Sequence, residues 1–331
     1  MPRTEFLSTG FYVPERVVTN AELETYMDTS DEWIRQRSGI EERRWCAEGE
    51  GGSDMAKVAT ERALEKMGME ADGIDCIVLA TVSPDHFFPG TGVFLQRKLG
   101  LKDIPCLDVR NQCTGFLYGL EVADAFIRTG RYRRILLVGT EIHSTGLQVN
   151  TEGRDTAVLF GDGAGVAILG PTDDPDRGVL AVRNHADGAH AEKLWAPAPA
   201  CIKMPFISKE DIDAGLARPY MEGREVFKHA VNRMPEAIHE VLAEAGYTID
   251  EVALVIPHQA NLRISEMVQR RLGLSDDRIY NNIMRYGNTT AATIPIALAE
   301  AVDEGRVKRG DLVAFTAFGS GFTWGGALVR W

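Results

Sequence analysis

Three side chains spread along the sequence, Cys113, His258 and Asn288, are of types that can act as nucleophile, proton carrier and hydrogen-bond donor. Cys113 falls between an apolar run at 104–109 that reads as a strand and a helix-period segment at 114–129 whose apolar face includes Phe116, Leu117, Leu120 and Phe126. That spacing puts the sulfur on a strand-to-helix turn. A helix N-terminus carries about half a positive charge and unpaired N–H groups, so a thiolate is favoured there and the thiol pKa is expected to fall. Gly115 keeps the turn tight enough for a substrate to approach the backbone. His258 follows the apolar strand 252–256 and Pro257, just past a strand's C-terminal end, where α/β sheets present ligand-contacting groups. Asn288 lies in GNTTAA at 287–292, ahead of a helix expected at 291–302. Taken singly, each also has a plain reading: a structural thiol, a loop-capping histidine, a turn asparagine. The other cysteines, Cys46, Cys76, Cys106 and Cys201, bring the total to an odd five with no CxxC, so neither a metal site nor a disulfide framework is expected.

The elements that must position these groups alternate between strand and helix. A helix at 54–67, stopped by Gly68, leads to the strand 74–80; the strand 104–109 leads to the helix 114–129, stopped by Gly130; a strand at 134–138 follows, and a pair of strands is expected to flank FGDGAG at 160–165. The second half repeats the order. A helix at 225–245 leads to IDEVALVIPHQ at 249–259, which parallels IDCIVLATVSP at 74–84, and closing strands at 311–317 and 326–330 surround FGSG at 318–321. Asp75 and Asp250 lie about half the chain apart, so the simplest architecture is two similar α/β halves, each a sheet wrapped by helices. The Pro- and Asp-rich segment 171–176 divides them into 1–172, carrying the cysteine, and 173–331, carrying the histidine and asparagine. The Pro-rich stretch 196–220 lacks a period and reads as a long loop with one short helix, of the kind that lines functional openings.

Composition excludes some functions. Of 331 residues, 44% are hydrophobic and 25% charged, which is the make-up of a globular chain that can bury a core. A formal charge of -12 repels nucleic acid and anionic lipid, so an acidic partner would have to dock on a local basic patch. The start, MPRTEFLSTG, holds no apolar run of signal length and no stretch reaches the roughly 20 apolar residues of a membrane span, which leads to the expectation of a cytoplasmic protein.

NQCTGF at 111–116, HQANLRI at 258–264, YGNTTAA at 286–292 and GSGFTWGGALVR at 319–330 resemble the signatures of ketoacyl-acyl-carrier-protein synthase III, a condensing enzyme of the thiolase superfamily. TSDEWIRQRSGIEER at 29–43, FGDGAG and MEGREVFK at 221–228 resemble it too, so the similarity runs in order from Thr19 to Arg330. The resemblance implies a duplicated thiolase-like layered fold, αβαβα, with a mixed sheet in each half. It implies a catalytic triad of Cys113, His258 and Asn288, in which the cysteine accepts an acyl group and the other two bind the enolate of a decarboxylating malonyl thioester. The same resemblance makes the backbone N–H groups of Cys113 and Ser320 an oxyanion hole. Trp33, Arg37 and Arg154 become contacts for coenzyme A; Lys228, Arg263, Arg270 and Arg271 become a docking patch for acyl carrier protein; and Phe88 becomes a contribution to the acyl pocket across a homodimer interface. Coenzyme A thioesters are implied as substrates, with no metal and no redox cofactor.

Departures from the family concern the substrate. Asn111 and Gln112 stand where small residues commonly precede the nucleophile, Ser320 where glycine is common, and the 196–220 loop is long. A secondary-metabolism relative with the same triad, using an unusual acyl or aroyl thioester or a CoA-linked acceptor, therefore stays open. Other rivals are weaker. A degradative thiolase needs a second active-site cysteine late in the chain, and none follows Cys201; a hydroxymethylglutaryl-type synthase needs a glutamate at the end of the strand 74–80, where the sequence reads Ala80-Thr81-Val82-Ser83. A non-catalytic nucleotide-binding scaffold would fit the glycines at 161–165, but the GxGxxG spacing is absent and these glycines better suit a close strand turn near a pocket.

Overall fold

The computed structural model describes residues 2–331. Nine strands form two mixed sheets. The first contains β1 (Arg3–Tyr12), β2 (Cys76–Ala80), β3 (Cys106–Val109), β4 (Ile135–Glu141) and β5 (Gly163–Thr172) in the order β1-β5-β4-β2-β3. The second contains β6 (Gly178–Ala186), β7 (Leu254–Pro257), β8 (Leu312–Gly319) and β9 (Thr323–Arg330) in the order β7-β8-β9-β6. In the first sheet β3, β2, β4 and β1 run one way and β5, between β4 and β1, runs opposite; in the second β7, β8 and β6 run one way and β9, between β8 and β6, runs opposite. The counterpart of β3 is reduced to a single parallel bridge from Ile279 to Val255. Strand for strand, the second sheet therefore repeats the first. The chain crosses from one to the other between Thr172 and Gly178.

Seven helices of eight residues or more fill the layers: α1 (Asp31–Ser38), α2 (Gly52–Met67), α3 (Thr91–Lys98), α4 (Gly115–Arg128), α5 (Gly223–Ala245), α6 (Leu262–Leu272) and α7 (Thr293–Asp303). The period-2 alternation of β2 assigns its faces: Cys76 and Val78 turn to a central core, Ile77 and Leu79 to an outer one. The central core joins both sheets through α4 (Phe116, Leu120, Ile127) and α7 (Ile294, Leu298), against Leu137 on one side and Phe315 on the other. Helix α2 covers the outer face of the first sheet, and α5 and α6 cover that of the second. The result is helix, sheet, helices, sheet, helices, with the two halves sharing one interior.

Several element bounds differ from expectation. FGDGAG is not flanked by two strands. A helical turn, Arg154–Ala157, precedes it because Asn150 accepts from the Gly153 N–H and starts helical winding, while Val158 is drawn into the core beside Ile34 and Trp45. Gly163 to Gly165 already belong to β5. The strand expected from Ile74 starts at Cys76, after a turn at 71–73, and the helix expected from 291 starts at Thr293, after a turn at 290–292. The 196–220 stretch holds one short helix, Lys209–Asp213, and its flanks pair as Leu194–Trp195 with Tyr220–Met221.

Candidate active site

The N-termini of α4 and α7, the two middle-layer helices, both face one cavity of about 530 Å³ between the halves. Cys113 lies in the turn 112–114 that leads into α4, and its sulfur opens on the cavity. The backbone N–H groups of Cys113 itself and of Ser320 are both within hydrogen-bonding reach of that sulfur. Ser320 comes from the loop joining β8 and β9, and its approach depends on Gly319, where an added Cβ would sit 2.6 Å from the Cys113 Cβ.

His258 follows β7, is 2% exposed, and its backbone N–H donates to Thr316 on β8 at 2.8 Å. Its Nδ1 shares a 2.7 Å hydrogen bond with the Thr293 hydroxyl, while Nε2 is buried and has no partner in the free protein. Asn288 is 7% exposed; its Oδ1 accepts from the Thr290 N–H at 2.8 Å, which leaves the Nδ2 hydrogens as the free end of the side chain beside the cavity. Its backbone is tied to the other half: its N–H donates to Leu159 and its carbonyl accepts from Gly161. Gly161 is glycine because a Cβ there would meet the Tyr286 carbonyl at 2.2 Å, so the glycine-rich stretch serves a close approach between loops.

Burial sets the electrostatics. It lowers the His258 pKa to about 3, so the imidazole is neutral across the physiological range. The expectation of a depressed Cys113 thiol is overturned in the free protein. Burial pushes it up to about 12, the Glu141 carboxylate adds to the rise, and the N–H groups of Cys113 and Ser320 pull only partly the other way. The helix end is separated from the sulfur by the 112–114 turn.

A second cavity of about 770 Å³ adjoins the first, sharing Leu159, Met221, Gly223, Phe227 and Asn261 in its walls. Trp33 and Arg37 of α1 and Arg263 of α6 line this vestibule. The Arg37 guanidinium lies 4.4 Å and that of Arg154 5.1 Å from the Trp33 ring centroid. Lys228 on α5 and Arg263, Arg270 and Arg271 on α6 are all exposed on packed neighbouring helices, with Arg271 bonded to Asn232 across them. Phe88 is 81% exposed and lies outside its own chain's cavity. Two cavity residues and one buried neighbour escaped the sequence reading. Arg224 lines the vestibule and stands one helical turn before Lys228, a spacing that could have found it. His143 lines the inner cavity, bonded to the Thr290 hydroxyl at 2.7 Å, and Glu141 ends β4; both follow the run ILLVGT, where polar residues past a buried strand were the available signal.

Comparison with known proteins identifies the family. The family model described as 3-oxoacyl-[acyl-carrier-protein] synthase III matches residues 107–188, and that of its C-terminal region matches 242–331. The chain is 46% identical to beta-ketoacyl-[acyl-carrier-protein] synthase III of Geobacillus kaustophilus, over 98% of each chain. Among solved structures it resembles 3-oxoacyl-[acyl-carrier-protein] synthase III of Aquifex aeolicus, with a TM-score of 0.91 and 41% identity over 99% of this chain and 100% of that one. It also resembles the priming beta-ketosynthase of the R1128 polyketide pathway, with a TM-score of 0.89 and 31% identity over 99% and 96%.

Proposed function

This chain belongs to the 3-oxoacyl-[acyl-carrier-protein] synthase III family, and we propose that it condenses an acyl group from a coenzyme A thioester with malonyl-acyl carrier protein, releasing carbon dioxide and a 3-oxoacyl product. The observation that carries the reading is the convergence of Cys113, His258 and Asn288 on one buried cavity that adjoins a vestibule lined by Trp33 and Arg37. In the first half-reaction the Cys113 sulfur bonds to the thioester carbon, its proton ends on the departing coenzyme A, and the transient oxyanion takes hydrogen bonds from the N–H groups of Cys113 and Ser320. In the second, the malonyl carboxylate leaves as carbon dioxide and its bonding pair becomes an enolate. The enolate oxygen accepts from the free Asn288 Nδ2 and from His258 Nε2; for the imidazole to donate there, the Thr293 hydroxyl, which gives its proton to the Thr290 carbonyl at 3.0 Å in the free protein, turns it to Nδ1. The enolate carbon then attacks the acyl group, and Cys113 leaves as a thiolate that takes up one proton. Each well-aimed donor is worth about 3 kcal/mol of barrier. The pair freed with carbon dioxide ends in the new C–C bond, so the balance calls for no redox partner.

Around this chemistry, Trp33, Arg37 and Arg154 hold the nucleotide end of coenzyme A. Lys228, Arg263, Arg270 and Arg271, joined by Arg224, form the basic surface for an acidic carrier protein on a chain of net charge -12. A homodimer is part of the proposal: Phe88 and, on the edge strand β3, the 40% exposed Leu107 leave apolar surface for a second copy to cover. The reading places the protein in the cytoplasm, among its thioester substrates; no helix of the described residues is long and apolar enough to cross a membrane.

A second reading has one supporting observation. Gln112, in the cavity wall beside the nucleophile, stands where a small residue is common, which suits a primer of unusual shape such as an aroyl or branched acyl group. One experiment addresses both readings. The protein is mixed with acetyl-, branched acyl- and aroyl-coenzyme A in single-turnover amounts, and its mass is read. An added acyl group that disappears in Cys113→Ala supports acyl transfer, and the preferred mass names the primer. No adduct from any thioester refutes the proposal.

A further inference from the structure

A strained residue marks the seam between the halves. Thr290, 4% exposed in the turn that leads into α7, has a φ of +47°, a left-handed conformation that β-branched side chains rarely adopt. Asp103 and Gln112 are the other non-glycine residues with positive φ among the described residues, and neither is β-branched. Such a conformation persists only where the surrounding bonds over-determine it.

Three bonds to side chains hold it, and each leads to a residue of the cavity wall. The Thr290 N–H donates to Asn288 Oδ1 at 2.8 Å. Its carbonyl accepts from the Thr293 hydroxyl at 3.0 Å, and that hydroxyl oxygen lies 2.7 Å from His258 Nδ1. Its own hydroxyl shares a 2.7 Å hydrogen bond with Nε2 of His143. The first two bonds are local, between residues two and three positions apart; the third comes from the other half, where His143 follows β4. His143 is itself fixed. Its backbone N–H donates to Asp162 Oδ1 at 2.7 Å, and its ring packs on Phe160 with the centroids 4.6 Å apart. Phe160 in turn forms a bridge with Asn288, and all four residues, His143, Phe160, Asn288 and Thr290, line the cavity. Burial lowers the His143 pKa, so the ring is neutral at physiological pH.

The consequence is the orientation of one amide. A carboxamide can turn over and exchange its oxygen for its N–H2, which inverts what it offers a ligand. An N–H at Thr290 admits only the orientation with Oδ1 toward it, and this leaves Nδ2 for the cavity. We propose that His143 is a positioning residue: by pinning the Thr290 hydroxyl from the opposite half, it keeps Thr290 left-handed and its N–H on Asn288 Oδ1, so that Asn288 presents Nδ2 to the enolate. Released from that bond, the amide can turn its oxygen to the cavity, where it repels an enolate instead of stabilising it. The inference rests on the proposed decarboxylation step and names the residue that prepares one of its donors.

The test has a structural arm and a kinetic arm. His143→Leu keeps an apolar contact for Phe160 and loses the hydrogen bond. A crystal structure of this variant without substrate should show Thr290 at negative φ and its N–H off Asn288 Oδ1; an unchanged φ with the 2.8 Å bond retained overturns the inference. In the same variant malonyl decarboxylation should fall about 10- to 100-fold, the cost of a misplaced reacting group, while acylation of Cys113, read by mass, falls much less. His143→Gln, whose amide can reach the Thr290 hydroxyl, should recover most of the lost decarboxylation. Equal loss of the two half-reactions, or a glutamine variant no better than the leucine one, also overturns the inference. Thr290→Val removes the hydroxyl and spares His143; it should show the same split, and it carries both arms if His143→Leu does not fold. A displaced Thr290 in the variant structure, beside a wild type that decarboxylates no malonyl thioester, leaves this inference standing and removes the acyl-transfer reading instead.

Discussion

The neutrality of His258 can be measured through stability. Burial holds its pKa near 3, while in the unfolded chain it returns to about 6.5, so below pH 6.5 the unfolded state binds a proton that the folded state refuses. The sign follows: this histidine costs no stability above pH 7, and its cost grows as the pH falls from 6.5 toward 3. Each pH unit in that window costs about 1.4 kcal/mol, so between pH 7.5 and 5.0 the folded protein loses about 2 kcal/mol through this one group. His258→Asn, whose amide can still reach the Thr293 hydroxyl, has no such proton to bind. Urea unfolding followed by tryptophan fluorescence, at one protein concentration and at both pH values, gives the two losses. Carboxylates and the other histidines contribute equally to both proteins, so the wild type should lose about 2 kcal/mol more than the variant. Equal losses would mean that His258 titrates as an ordinary histidine and is a cation in mildly acidic medium, and the neutral hydrogen-bond donor assigned to the enolate step would be refuted.

The remaining predictions test single contacts. Asn288→Asp replaces the Nδ2 donors with an anion, and malonyl decarboxylation should fall about 100- to 1,000-fold while acylation of Cys113 stays measurable by mass; matched losses would contradict the assignment. Gly319→Ala drives a methyl to 2.6 Å from the Cys113 Cβ, and acylation should drop at least as far as decarboxylation. Arg270→Glu with Arg271→Glu, both exposed and outside the vestibule wall, should raise KM for a carrier-protein thioester with little change for the coenzyme A-linked malonyl substrate, a split visible in steady-state kinetics. Burial raises the Glu141 pKa from the ordinary 4.5 to about 7, so the stability it contributes is full below pH 4.5 and lost as the pH rises through 7; Glu141→Gln should remove a wild-type loss of about 3 kcal/mol between pH 4.5 and 8 in the same urea assay.

Much of the fold was legible because its signals are local. Gly68 and Gly246 end their helices in the left-handed conformation, as their positions after apolar periodic runs imply. The repeated IDxxxL pattern before β2 and β7 marks equivalent strands of equivalent sheets. The missed features are non-local. No spacing announces that Ile279 is all that remains of a fifth strand, because a single bridge has no periodicity. The helical turn before FGDGAG reads as a strand in the sequence because Val158, Leu159 and Phe160 form an apolar run too short to show its period. The elevated thiol of Cys113 could not be read from its helix, since it arises from burial by the opposite half and from Glu141, far away in sequence and close in space.

Duplication explains why the three reactive groups meet. Cys113 precedes α4 and Asn288 precedes α7, the paired middle helices of the two halves; His258 follows β7, the partner of the strand β2 whose following loop supplies Val82 to the same cavity. A single α/β half brings one helix N-terminus and one strand end to its edge; two halves packed on a shared core bring both sets to the seam. Each side chain is then tied at one end and open at the other: Asn288 is held by its oxygen, His258 by Nδ1, and the cysteine by its own backbone. The ends left open are a carboxamide N–H2, an unpaired ring nitrogen and a sulfur, none of which is charged in the free protein. Neutral donors aimed at the reacting atoms suit a reaction whose charge appears only in passing, on a tetrahedral oxygen and then on an enolate, because fixed dipoles stabilise those states as they form.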